Sequence, residues 1–223
     1  MKKMKQNGKR ILSWGISCVL AFVVWTALIQ IIDVQAVGQH GTEIGFATFN
    51  IWFHELTGVH MTLYTLTDWM GLIPVLVCMS FAGLGFVQMI QRRSFFQVDY
   101  DLICLGIYYL AVIFGYLIFE MIPVNYRPIL IEGRLEASYP SSTTLLVLSV
   151  MPTFVEQVYR RLENAAVKKV INIFVTSFSI FMVTGRLVSG VHWFTDIVGG
   201  GLLSAGLFFI YKAVVLSGGK EEH

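Results

Sequence analysis

Leu102–Ile122 reads LICLGIYYLAVIFGYLIFEMI, an unbroken apolar run whose one charged residue, Glu120, comes near its end. A helix needs roughly 20 predominantly apolar residues to cross a bilayer core, so this run is read as a membrane span. Five more segments of this kind flank it. Ile11–Ile32 and Leu66–Ile90 precede it; Ser142–Val158, Val170–Thr184 and Phe194–Leu216 follow. Ser142–Val158 and Val170–Thr184 are near the lower length limit for a span. Val34–Thr65 is too polar to cross easily, and its stretch Ile44–Phe53 is read as an interfacial or re-entrant helix. The expected fold is all-α, a polytopic membrane six-helix bundle. Its parts are a basic cytoplasmic N-terminus over 1–10, a single six-span domain over 11–217 and a cytoplasmic tail over 218–223.

Composition agrees with this. Of 223 residues, 56% are hydrophobic and only 13% are charged, and the mean hydropathy is +0.69. An average soluble domain carries about 25% charged residues, so an ordinary soluble domain and a disordered chain are both disfavoured. A net charge of +2 gives no large basic surface for nucleic acid. Cys18, Cys78 and Cys104 lie singly inside apolar stretches, too far apart for a zinc site, and read as small buried hydrophobes. No metal or other cofactor is expected. The N-terminus resembles a signal peptide, with Lys2, Lys3, Lys5, Lys9 and Arg10 ahead of an apolar run. That run is long enough to span, and no small-residue cleavage site follows, so it is read as a retained first helix.

The positive-inside rule fixes the orientation. The N-terminal cluster, Arg92, Arg93, Arg160, Arg161, Lys168, Lys169, Lys212 and Lys220 fall on one side, which is assigned to the cytoplasm with both chain ends. Only Arg127, Arg134 and Arg186 fall on the other face. Those three need a reason other than topology, and for Arg134 surface placement suffices.

The outer face gathers three segments. Gly185-Arg186-Leu187-Val188-Ser189-Gly190-Val191-His192-Trp193-Phe194-Thr195-Asp196 closes span five and opens span six. His192 and Asp196 are four residues apart, on one face of a helical start, so the carboxylate can fix the imidazole tautomer and free its second nitrogen. Arg186 offers a planar fork suited to phosphate. Asn125-Tyr126-Arg127-Pro128 follows span three. Tyr139-Pro140-Ser141-Ser142-Thr143-Thr144 starts span four, where capping hydroxyls and exposed N–H groups suit an anion. Trp193 and Phe194 read as interfacial anchors. The glycines Gly199-Gly200-Gly201 read as helix close-packing and not as a phosphate loop, since no GxxxxGK[ST] occurs.

These three segments resemble the signature motifs of the type 2 phosphatidic acid phosphatases, integral-membrane lipid phosphate phosphatases whose pattern is KxxxxxxRP, PSGH and SRxxxxxHxxxD. The resemblance runs from about Leu66 to Leu216. It implies a six-helix bundle that works without metal on a lipid phosphate or diphosphate, polyprenyl diphosphate, phosphatidic acid or phosphatidylglycerophosphate among them. It implies His192 as the nucleophile that becomes phosphohistidine, Asp196 as its orienting carboxylate, and Arg186, Arg127, Ser141 and Ser142 as phosphate contacts. The chain departs from the pattern at three positions. Gly185 replaces the serine, Glu120 stands at the lysine position and Thr143 stands where the general-acid histidine should be.

Threonine cannot protonate a leaving alkoxide usefully near neutral pH. A diphosphate needs no such proton, because phosphate leaves as a weak base. Otherwise Glu120, Glu132, Glu136, His40, His54 or His60 supplies the acid. Glu120 also has a plain structural reading, as an ion-pair partner of Arg127 or Arg186. A catalytically degenerate protein that binds a lipid phosphate or a partner, and a transferase on the same scaffold, are the alternative readings. A channel is disfavoured because the charges sit mainly at span ends. The expected location is a multi-pass plasma membrane protein of bacterial type with an extracytoplasmic site. The sequence carries no reading of oligomeric state.

Overall fold

The computed structural model describes residues 2–218, with side chains from Asn7 onward. Met1 and the tail from Gly219, with Lys220, lie outside the described residues, as do the side chains of Lys2, Lys3 and Lys5. The helices are α1 (Lys2–Ile29), α2 (Ala47–Thr57), α3 (Met61–Met70), α4 (Leu72–Arg92), α5 (Tyr100–Met121), α6 (Ser142–Arg161), α7 (Ala165–Val188) and α8 (Phe194–Gly218). Only isolated bridges, and no strands, occur among the described residues. The chain is an all-α, multi-pass membrane protein.

Several boundaries differ from the sequence reading. The basic N-terminal segment is not a separate tail but the start of α1. The second span is longer than expected and is made of two helices, α3 and α4, joined at Gly71, whose backbone stays helical. The fifth span begins at Ala165, because Asn164 caps it by accepting from the N–H groups of Ala166 and Val167. The interval expected between the fourth and fifth spans, after Val158 and before Val170, therefore shrinks to a three-residue link. The helix expected within Ile44–Phe53 forms slightly later, as α2.

Five stretches are long and apolar enough to cross a membrane: Asn7–Ile29, Met61–Arg92, Tyr100–Met121, Ala165–Val188 and Phe194–Gly218. The sixth helix of the bundle, α6, is more polar, and it packs against α4, α5, α7 and α8. Ser149, Thr153 and Gln157 recur every fourth residue along one face of α6 and are fully buried. Tyrosines of the neighbours answer this face. Tyr108 donates to the Ser149 carbonyl, Tyr109 bonds Thr153, and Gln157 donates to Tyr211.

The most extensive helix pair is α1 with α8. A Cβ on Gly206 would stand 2.7 Å from Val19 Cγ2, so glycine lets the two backbones approach, the usual device where lipid supplies no hydrophobic drive. The glycine run behaves in part as expected. A Cβ on Gly199 would strike the Tyr139 ring and one on Gly200 would meet Thr144, whereas Gly201 faces open space.

One aromatic cluster anchors the long loop between α5 and α6. Tyr139 stacks on Phe22 of α1, Phe119 of α5 packs edge-on to both, and the Tyr139 hydroxyl bonds Thr26 at 2.7 Å. The loop folds back on itself. Arg127 N–H donates to the Glu136 carbonyl, Ser138 N–H donates to the Asn125 carbonyl, and the reversal at Ile131–Arg134 passes through Glu132 and Gly133 with positive φ. Arg127, Glu136 and Ser138 are thereby held at one end of the bundle.

Candidate active site

Three elements converge on His192, which sits in the short turn between α7 and α8 and is buried. Its Nδ1 lies 3.1 Å from the Ser138 carbonyl and 3.6 Å from Asp196 Oδ2. The first is a hydrogen bond; the second is too long for one. Both neighbours are acceptors, so Nδ1 carries the proton and the Nε2 lone pair is free. Nε2 is buried and has no protein partner. Burial pushes the imidazole down to about 4, the Asp196 carboxylate opposing and Arg127 and Arg186 adding to the fall. The ring is therefore neutral at pH 7.

Asp196 is fully buried in the first turn of α8. Its Oδ2 accepts from Trp193 N–H at 2.9 Å and its Oδ1 accepts from Asn125 Nδ2 at 3.1 Å. Those two donors hold the carboxylate against the histidine. In the sequence Asn125 stands only as a near neighbour of Arg127; its contact with Asp196 spans 71 positions, and only the fold reveals it.

The two arginines are each engaged from several sides. Arg186 donates through Nε to the Thr143 hydroxyl at 2.8 Å and through Nη2 to Asp68 at 2.7 Å. Arg127 forms an ion pair with Glu136 at 3.0 Å. Both guanidiniums lie over the Tyr64 ring, 4.8 Å from its centroid for Arg186 and 5.9 Å for Arg127. Neither pairs with Glu120, contrary to the plain structural reading of that residue. Nη1 of each arginine is buried without a protein partner. Tyr64 and Asp68, four residues apart on α3, are contributors that sequence reasoning missed, since no motif marks them.

A cavity of about 230 Å³ opens beside His192. It is lined by Arg127, Ser142, His192, Glu120, Glu136 and Tyr116, among others. Ser141 is fully buried at the N-cap of α6, where its hydroxyl accepts from Thr144 N–H and its own N–H donates to the Asp196 carbonyl. Of the Ser141–Ser142 pair, Ser142 reaches the cavity. Of the alternative acids, Glu120 and Glu136 line it. His54 instead bonds the Gly190 carbonyl and His60 the Thr57 carbonyl. Among the described residues, no group of three or more His, Cys, Asp or Glu is placed to hold a metal ion.

Three buried guanidinium nitrogens, Arg127 Nε and Nη1 and Arg186 Nη1, thus lack hydrogen-bond partners; Arg127 lines the polar cavity together with the free Nε2 lone pair of His192, whereas Arg186 does not reach it. Unpartnered buried cationic donors are costly, and an anion is the group that satisfies them. The family model of the PAP2 superfamily matches residues 117–217, a span that holds all three motifs. Residues 117–217, which carry the site, belong to the PAP2 superfamily. No curated protein matches it. A solved structure, the first transmembrane PAP2 type phosphatidylglycerolphosphate phosphatase from Bacillus subtilis, is similar with a TM-score of 0.68 and 16% identity, covering 94% of this chain and 99% of that one. The similarity extends the PAP2 helical fold over nearly the whole chain.

This PAP2 region carries its departures from the motif pattern in defined places. Thr143 is a hydrogen-bond acceptor for Arg186, Glu120 is a carboxylate on the cavity wall, and Gly185 abuts α3, where a Cβ would stand 2.8 Å from Thr67 Cγ2.

Proposed function

We propose that the protein is a membrane phosphatase that hydrolyses a lipid phosphate or diphosphate through a phosphohistidine at His192. The observation that carries this reading is the free, buried Nε2 of a neutral His192, facing a cavity that also holds Arg127. In the proposed step Nε2 forms a bond to phosphorus as the ester or anhydride oxygen departs in line with its electron pair. Arg127, Arg186 and the start of α6 stabilise charge on the equatorial oxygens. As the imidazole gains positive character, Asp196 and the Ser138 carbonyl hold its Nδ1 proton. Water then attacks phosphorus, releases inorganic phosphate and restores neutral His192.

Thr143 does not take the part of the leaving-group acid, because an aliphatic hydroxyl is too weak an acid near neutral pH; its hydroxyl instead accepts from Arg186. A departing phosphate needs no proton. A departing alkoxide would draw one from Glu120 or Glu136, the carboxyl groups on the cavity wall. The reading also places the site on the extracytoplasmic face of a bacterial-type plasma membrane, with both termini in the cytoplasm, by the distribution of basic residues.

The test is phosphate release by purified protein in detergent from chain-matched lipid monophosphates and diphosphates, beside His192→Ala. Release by the wild type that the variant loses, with an acid-labile phosphoprotein during turnover, is the expected result. Release that survives His192→Ala refutes the mechanism. No release from any lipid by folded protein favours the alternative, a non-catalytic protein that binds a lipid phosphate or a partner.

A further inference from the structure

The cavity beside His192 is electrically divided along its depth. Its buried end carries Arg127 and His192, whose Nη1 and Nε2 atoms have no partner. Its outer end carries Glu136, whose side chain is 38% exposed, and Glu120, which is exposed. Tyr116, one helical turn before Glu120 on α5, adds an aromatic lining. The arginines are already matched within the protein, Arg127 by Glu136 and Arg186 by Asp68. Glu120 forms no ion pair among the described residues.

For a phosphate dianion this arrangement is poorly matched. Its attraction to Arg127 is offset by the adjacent Glu136 and by Glu120, and a second phosphate group would meet more of the same repulsion. A ligand that brings its own cation removes the mismatch. Its phosphate oxygens take the buried Arg127 donors, with phosphorus toward the His192 Nε2 lone pair, while its cation meets two carboxylates and an aromatic ring, the usual surroundings of a bound ammonium. The cavity, at about 230 Å³, is smaller than the roughly 300–1,000 Å³ of sites for drug-sized ligands, so it fits a head group and not a lipid tail.

We propose that this cavity selects phosphate esters bearing a primary ammonium group close to the phosphate, with the phosphate at Arg127 and His192 and the ammonium at Glu120 and Glu136. The inference rests on the phosphate-site reading above and narrows its substrate class. Glu120 and Glu136 are then specificity residues that act as carboxylates, so for these esters the bound ammonium, and not a protonated Glu120 or Glu136, supplies the leaving alkoxide's proton; Glu120 is a gain of recognition at a position where the motif pattern has lysine. The amine belongs either to an amino-alcohol lipid or to an aminoethyl head group; both present the same aminoalkyl phosphate.

The test uses non-hydrolysable phosphonates and the full-length protein in detergent micelles, with binding read by calorimetry. One probe pair is a 2-aminoalkylphosphonate and its N-acetyl derivative, with the amine on the lipid side. The other is the aminoethyl ester of an alkylphosphonate and its N-acetyl derivative, with the amine on the head-group side. The free amine of one pair is expected to bind about tenfold more tightly than its acetylated partner, as a charge-assisted contact to carboxylates warrants. Which pair shows it identifies the source of the amine. Glu120→Gln combined with Glu136→Gln should bring the preference to within about twofold. Equal or tighter binding of the acetylated forms in both pairs overturns the proposal, as does a preference unchanged by the double substitution. Binding needs no turnover, so the two readings fail separately. Amine preference without phosphate release removes only the phosphatase reading, and release without amine preference removes only this one.

Discussion

The Thr143 hydroxyl accepts a hydrogen bond from Arg186 Nε at 2.8 Å, linking the first turn of α6 to the last turn of α7. Both groups are buried, so the bond fixes the guanidinium plane and satisfies a donor that water cannot reach. Thr143→Ser keeps the acceptor and should keep activity near wild type. Thr143→Val leaves Nε–H unmet at a cost of about 1–3 kcal/mol and should lower kcat/KM about tenfold or more. Steady-state kinetics of the two variants decide it; equal activity would mean Thr143 does not position Arg186.

Asn125 holds Asp196 from the side opposite Trp193. Asn125→Ala removes one of two donors to a fully buried carboxylate and should lower both kcat/KM and thermal stability. Asn125→Asp should be worse, since it sets a second carboxylate against the first where neither is solvated. Melting temperature and kcat/KM, measured together, should rank wild type above Asn125→Ala and Asn125→Ala above Asn125→Asp. The reverse ranking of the two variants would show that a carboxylate at 125 does not repel Asp196, and an Asn125→Ala variant equal to wild type would show that the hydrogen bond at Oδ1 does not matter.

Gly185 is explained by the close approach of α3 to α7. The serine of the motif pattern would bring its Cβ within 2.8 Å of Thr67 Cγ2, on a β-branched side chain with little room to turn. Gly185→Ser should destabilise by about 1–3 kcal/mol through overpacking and disturb the Asp68–Arg186 pair. Thr67→Ala in the same chain should recover most of the loss. A double variant as unstable as the single one would refute the steric explanation.

The pH dependence follows from His192. Its free value is about 6.5, and in the folded protein burial brings it down to about 4. The neutral, nucleophilic form therefore persists well below pH 6.5, and the acid limb of kcat/KM that belongs to this group should fall near pH 4. The folded state resists protonation relative to the unfolded chain. Its stabilising contribution is full above about 6.5 and is lost as pH falls from there toward about 4. His192→Gln, which cannot protonate in that window, should lose less melting temperature between pH 7 and pH 4. A pH–rate profile with its limb at 6.5, together with parallel melting curves, would contradict the assignment.

The spans and the three motif segments are legible in the sequence because each is a local pattern: a long apolar run, or an arginine, histidine and aspartate at fixed spacing. Arg127, Arg186, His192, Asp196, Ser142 and Glu120 are all found at one end of the bundle. What was not legible depends on contacts between distant segments. Tyr64 and Asp68 meet Arg186 because α3 packs against α7, and the Asp68–Arg186 contact spans 118 positions. Ser138 supplies a backbone carbonyl, which no side-chain motif can announce. Glu120 forms no pair with Arg127 or Arg186, because Glu136 and Asp68, the latter on a distant helix, take the arginines instead.

The polar face of α6 has a consequence for how the chain is made. A segment carrying Ser149, Thr153 and Gln157 on one side does not partition into lipid unaided, and the tyrosines that answer it come from α5, already synthesised, and from α8, the last helix to emerge. The α5 tyrosines can meet α6 as soon as it forms, whereas the Gln157 amide finds its acceptor only once α8 is made. A chain cut short before Tyr211 would therefore leave a fully buried amide in the middle of the bundle without its acceptor.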